Sequence, residues 1–142
     1  MLPLEWQDYP PYYIRMGVTA ENQEMADKRI LELLLSWQGK NFVSYEPALS
    51  HLNIKNYLPA SLPLPRYEKN GKLIVSDIDW IICGDESGTN ARPMDIEWAR
   101  SVRDQCQAAD VPFFLKQIVV DGKLVHMPKL DGKVWDQFPE DA

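Results

Sequence analysis

The chain has 142 residues, 45% of them hydrophobic and 25% charged, the balance of one soluble globular domain rather than a disordered segment or two domains. Fifteen basic residues against 21 acidic ones leave a net charge of −6 and a pI near 4.9, which argues against nucleic-acid binding by this segment alone. No apolar run approaches bilayer length, and Met-Leu-Pro-Leu-Glu-Trp is no signal peptide, so no membrane partner and a cytoplasmic location are expected.

Pro3, Pro10 and Pro11 make the first ten residues an irregular lead-in. Tyr13–Thr19 is a short run of strand formers, after which Asn22 can cap a helix. Ala26, Ile30, Leu33, Leu34 and Trp37 recur at helical spacing, which predicts an amphipathic helix over 23–37, closed by Gly39. Phe42–Tyr45 reads as a second strand, stopped by Glu46-Pro47. Pro59, Pro63 and Pro65 break up residues 48–76, and Asn70-Gly71 signals a hairpin there, an excursion from the main sheet. Ile78–Cys83 is a nearly continuous apolar run, as expected of a covered parallel strand. Met94, Trp98, Val102, Cys106 and Ala109 form the stripe of a second helix, and Val111–Leu115 is the next strand. Asp121-Gly122 predicts a further hairpin, and Asp131-Gly132 another turn.

Strands alternating with helices argue for an α/β fold of parallel β/α units joined by right-handed crossovers. Four such strands make a half-barrel with β-hairpin excursions. It forms one domain over 1–142, with a core at 12–117 and a hairpin-rich tail at 118–142. An open half-barrel leaves sheet edges and an apolar face that need cover, so a homodimer or a completing partner is expected. Cys83 and Cys106 read as buried reduced thiols, and with only His51 and His126 beside them no metal site is expected.

In parallel β/α architectures ligands bind where the strands end. Those ends deliver Glu21 and Asn22, then Glu46, then Asp85, Glu86 and Ser87 followed by Arg92, then Lys116 and Gln117. Together they could bind a polar ligand, hold a hard cation or exchange protons with a substrate. Equally, strand-end acids can stay solvated or cap the next helix. In the loop Gly84–Pro93, two glycines allow close backbone approach and Arg92 can fork onto a carboxylate or phosphate, or pair with a neighbouring acid. Trp37, Trp80 and Trp98 read as core residues.

Gly17-Val-Thr-Ala-Glu-Asn-Gln23 with Ala26–Ile30, Ser44-Tyr-Glu-Pro47, Asp79–Gly88, Ala91–Met94, Arg103-Asp-Gln-Cys106 and Val111–Gln117 resemble, in order, blocks of an uncharacterised family. Its members are radical-SAM-like proteins of phages and bacteria that carry a three-cysteine motif near the amino terminus. The resemblance covers about residues 12–117 and implies the C-terminal half of a TIM-like, radical-SAM-type barrel. For the full-length family it implies S-adenosylmethionine and an iron–sulfur cluster, bound mainly by the amino-terminal half. It also places Glu21, Glu46, Glu86, Ser87, Arg92, Lys116 and Gln117 on motif positions.

Two departures stand out. Asp85 replaces the second of two glycines usual before the third-strand glutamate, and the three-cysteine motif is absent. The chain is therefore expected to bind no cofactor alone and to be the inactive, substrate-side part of an enzyme of unassigned substrate, as a fragment or a short reading frame. The alternative is a non-catalytic binding or assembly module that retains the β/α fold.

Overall fold

A polar cap followed by an apolar stripe starts each of the two long helices. In α2, Gln23–Ser36, the Asn22 side chain accepts the Met25 N–H at 2.9 Å, and Ala26, Ile30, Leu33 and Leu34 line the buried face. In α3, Ile96–Ala108, Asp95 accepts the Glu97 N–H, and Ala99, Val102, Gln105 and Cys106 are buried. The computed structural model describes residues 2–59, 68–69, 72–73 and 77–140. Its remaining elements are one helical turn, α1 (Glu5–Asp8), a single 3₁₀ turn at Lys55–Tyr57, and nine strands. The strands are β1 (Arg15–Thr19), β2 (Lys40–Tyr45), β3 (Glu68–Lys69), β4 (Lys72–Leu73), β5 (Ile81–Gly84), β6 (Phe113–Val120), β7 (Lys123–His126), β8 (Lys129–Leu130) and β9 (Lys133–Val134).

Five strands form the main sheet in the order β1-β2-β5-β6-β7. The first four are parallel neighbours, and β7 returns antiparallel to β6. The fold is thus mixed α/β with a mostly parallel sheet, and the described strands form an open sheet rather than a closed barrel. The parallel strands follow chain order, so right-handed crossovers place α2, α3 and the described start of the β2–β5 connection on the same face. That face is the core. Val43 and Tyr45 of β2, Ile81 and Cys83 of β5, and Phe113 and Leu115 of β6 are all buried against the helices. Their neighbours Phe42, Ser44, Ile82 and Phe114 alternate onto the opposite face, which is only partly covered.

The crossover from β2 to β5 has no long helix in its described part. Ala48, Leu52, Ile54 and Leu58 are buried in the core, so these residues belong to the main body rather than to an excursion. Side chains of both helices hold them. Gln105 of α3 donates to Leu52 O at 2.8 Å and accepts from Ile54 N at 2.8 Å. Gln23 of α2 bonds Asn53 at both its N–H and its carbonyl, and the Tyr57 hydroxyl donates to Asp27. The segment fills the place a helix would take. Farther along, β3 pairs antiparallel with β4, while the Asn70-Gly71 turn lies outside the described residues.

Element boundaries differ from those expected where side chains take over backbone bonds. Trp37 leaves α2 in extended conformation, its indole donating to Lys40 O at 2.8 Å. The strand expected from Ile78 starts at Ile81. Before it, buried Asn41 donates to Asp77 O and accepts the Asp79 N–H, while Asp79 accepts the Asn41 N–H. β6 continues through Gln117 to Val120, so the expected tail hairpin is an extension of a core strand. The Asp121-Gly122 and Asp131-Gly132 turns are present, all four residues having positive φ.

The β6 edge is covered along most of its length. β7 pairs with Gln117–Val120. Below it, Leu115 N donates to Trp135 O, Gln137 N donates to Phe113 O, and Phe114 bridges Asp136. On the far side of the sheet no described strand pairs with the outer edge of β1.

Candidate functional site

The parallel strands end on one side of the molecule, and the eight residues singled out in the sequence divide there into three kinds. Asn22 and Gln117 are structural. Asn22 caps α2, and buried Gln117 donates its side-chain amide to Asp85 O at 3.0 Å. Ser87 is exposed at the tip of the loop after β5. The remaining five, Glu21, Glu46, Glu86, Arg92 and Lys116, form ion pairs.

Glu46, just past β2, reaches across β5. Its carboxylate accepts the Ser44 hydroxyl at 3.2 Å and lies 3.3 Å from Lys116 Nζ of β6. Gly84 of β5 makes the crossing possible, because a Cβ there would sit 2.8 Å from Glu46 Oε2. Lys116 is aimed by a β-bulge. Cys83 pairs with Leu115 but Gly84 pairs with Gln117, so Lys116 is the extra residue on its strand. Bulges re-aim a side chain in this way at functional positions.

Asp85 locks that bulge. It is buried, and its carboxylate accepts the N–H groups of Glu86 (3.0 Å), Met94 (3.1 Å) and Val119 (3.0 Å). Its backbone N–H donates to Gln117 O as well. The departure from the resembling pattern therefore neither crowds the loop nor adds charge at its surface. The carboxylate turns inward and ties the start and end of the loop to β6.

Glu86 and Arg92 close the same loop on itself. Arg92 donates to the Glu86 carboxylate through Nε (3.0 Å), a terminal guanidinium nitrogen (2.7 Å) and its backbone N–H (2.6 Å). These bonds lower the Glu86 pKa to about 2. Arg92 is raised, by Glu86 first and, more weakly, by the charge of Glu21. Gly88 (φ +98°) and Asn90 (φ +61°) supply the left-handed residues the loop needs. At the end of β1, Glu21 pairs with Arg29 of α2 at 2.9 Å, and Arg29 also donates to Thr19 O.

Sequence reasoning missed Ser44 and Arg29, while the close approach expected at the loop glycines is seen at Gly84. The one available signal for Arg29 was its position two helical turns after the Asn22 cap, on the flank of α2 nearest the strand end.

The open face below this charged layer is aromatic. Trp80 packs against Phe42, Phe114 and Phe138 with ring centroids 6.2, 6.3 and 5.3 Å apart. Trp80 thus belongs to this face rather than to the core beneath the helices, unlike Trp37, which is buried, and Trp98, which packs at the core margin. A concavity of about 800 Å³ lies at the opposite end of the strands, bordered by Arg15, Lys40, Asp79 and Phe138.

The thiols do not fit an iron–sulfur cluster. The chain has two cysteines, where the implied motif needs three. Both are buried, Cys83 on the helix-covered side of β5 and Cys106 inside α3. Burial raises both, Cys106 to about 12, and the charges of Glu46 and Asp85 raise Cys83 further. Among the described residues no group of three or more His, Cys, Asp or Glu is arranged to hold a metal, and no helix is long and apolar enough to cross a membrane.

A family model described as Protein of unknown function (DUF5131) matches residues 2–139, so the chain belongs to that family. No curated protein and no solved structure matches it.

Proposed function

We propose that this member of the DUF5131 family is the substrate-side half of a radical-SAM-like β/α enzyme, completed by a partner segment that brings the cluster-binding cysteines. The phage and bacterial association carried by the resemblance belongs to this reading. The observation that supports it is the run of parallel strands in chain order, whose ends, all on one side of the sheet, carry Glu21, Glu46, Glu86, Arg92 and Lys116 in ion pairs. The half-barrel form is supported by the same order, since parallel strands that advance in one direction with helices on one side are the arrangement of a β/α barrel.

The two sheet edges support completion from the β1 side. The β6 edge is occupied by β7 and the tail. Ala20 N donates to Ser44 O of β2, so alternation turns the backbone groups of Gly17 outward, while the outward carbonyl of Thr19 accepts from Arg29. A strand added there would extend the sheet, and a cluster-bearing segment can supply it, whereas a second copy would cover the edge without bringing three cysteines. This chain's own residues then bind and orient substrate, while the partner supplies the cofactor chemistry.

The test is calorimetric titration of S-adenosylmethionine into the purified chain, with sedimentation recorded alongside, alone and with a polypeptide carrying the three-cysteine motif. Co-sedimentation with that polypeptide, with saturable S-adenosylmethionine binding by the pair, is the expected result. A folded chain that stays monomeric at high concentration and neither binds S-adenosylmethionine nor joins the cluster-bearing polypeptide overturns the reading.

A non-catalytic binding or assembly module is the second reading. It is favoured by the β6–β7 arm, where Val119, Val120, Leu124, Val125 and Met127 are each more than a third exposed.

A further inference from the structure

Each of the three glutamates at the strand ends holds a cation, and in every pair the cation is the more exposed partner. Side-chain exposure is 25% for Glu21 against 40% for Arg29, 19% for Glu46 against 52% for Lys116, and 25% for Glu86 against 61% for Arg92. The length of arginine alone does not explain this. In the pairs Arg15–Asp79, Arg100–Glu97, Arg100–Asp131, Arg103–Asp104 and Arg103–Asp131 the order is reversed and the acid is the more exposed group. Elsewhere among the described residues these arginines lie along the surface beneath their acids, as amphipathic side chains do. At the strand ends the acids lie beneath.

We propose that this mouth binds an anionic ligand, a small molecule carrying a phosphate or carboxylate group, through Lys116 and Arg92, with Glu46 and Glu86 bracing them from below. The proposal rests on the strand-end mouth being the ligand site. Lys116 Nζ lies 3.3 Å from Glu46 Oε2, and an ammonium has three donors. Arg92 commits Nε and one terminal nitrogen to Glu86 and has a second terminal nitrogen for a ligand. Neither brace is loose. Ser44 donates to the Glu46 oxygen that does not face Lys116, and the Arg92 backbone N–H holds Glu86. A cation fixed by a partly buried acid loses little conformational freedom when it takes up an anion, and the charge-assisted bonds it forms are strong. A hard cation would meet the opposite situation, with each glutamate already covered by a positive group.

The experiment is titration of the full chain with inorganic pyrophosphate and, separately, with citrate, followed by backbone amide shifts. Saturable shifts centred on residues 84–92 and 116–117 are expected, with apparent affinity falling about tenfold in Lys116→Ala and in Arg92→Ala. Lys123→Ala, on the β6–β7 arm, is expected to leave the titration unchanged. Saturation by pyrophosphate alone assigns a phosphate ligand, and saturation by citrate alone a carboxylate. Absence of saturation, shifts centred on Lys123, Lys129 and Lys133, or tighter binding of magnesium ion at residues 84–92 overturns the proposal. Anion binding here without any association with a cluster-bearing polypeptide would leave this site standing and remove only the radical-type reading.

Discussion

The two faces of the main sheet are made of neighbouring residues on the same strands, yet they do different work. The face under α2 and α3 is closed, with Val43, Ile81, Cys83, Phe113 and Leu115 at 0% exposure. The opposite face carries Phe42, Ile82 and Phe114, only partly covered, and is crossed near the strand ends by the bridge from Glu46 over Gly84 to Lys116. Stability is concentrated on one side, which leaves the other free to hold charged groups in an arrangement that folding does not require.

Phe113 and Phe114 give the most direct way to break that contrast, because one residue of β6 separates the two faces. Phe113→Ala is expected to cost about 3–5 kcal/mol, the usual loss for a fully buried aromatic. Phe114→Ala, in the partly covered aromatic row, is expected to cost about half as much. Denaturant unfolding of both variants measures the difference, and equal losses would mean that the faces are not distinct in energy.

Asp85 joins the two faces through the bulge. Asp85→Ala strands the N–H groups of Glu86, Met94 and Val119 and should cost about 2–3 kcal/mol. Its amide signals are expected to change in both the loop and β6. Gly84→Ala should be milder in stability, about 1 kcal/mol or less, because the group its Cβ meets is the end of a flexible side chain. Its effect should appear instead in the Lys116 Nζ resonance as Glu46 is pushed off the bridge. An unshifted Lys116 signal would show that the bridge does not depend on the missing Cβ.

The smallest expected effect is the pH dependence of the Glu86–Arg92 pair. The folded-state pKa of Glu86 lies at about 2, below the usual carboxylate range. Its stabilising contribution is therefore present above that range and is lost as pH falls toward 2. Glu86→Gln should lower the denaturation midpoint slightly near neutral pH and merge with the parent chain near about pH 2. A gap between the two that is constant across this range would remove the ion pair as its cause.

Much of the fold was legible because its signals are periodic. The apolar stripes of α2 and α3, the continuous run ending in Ile81–Cys83 and the Asp-Gly turns each follow from a local rule, and each is present. The boundaries that moved did so where a side chain distant in sequence took a backbone bond, as Asn41 does before β5 and Gln105 does for Leu52 and Ile54. The site was legible as a list of strand ends and no further. Nothing local in the sequence shows that Lys116 sits in a bulge, since a bulge is a mismatch between two strands. The inward turn of Asp85 has the same cause, its partners Met94 and Val119 being brought to it by α3 and β6.

The strap formed by Trp135 to Phe138 has a consequence for how the protein behaves when it is damaged. It is the last segment to reach β6, and it carries the carbonyl of Trp135 to the Leu115 amide, the carbonyl of Gln137 to the Trp80 indole and the Phe138 ring to Trp80 and Phe114. Proteolytic clipping before Trp135 would bare Phe113–Leu115, three consecutive apolar residues of high strand propensity, along a straight and uncharged stretch of edge. Such an edge recruits other chains. The first sign of a nicked tail would then be self-association and loss of solubility, before any unfolding of the helices is detectable.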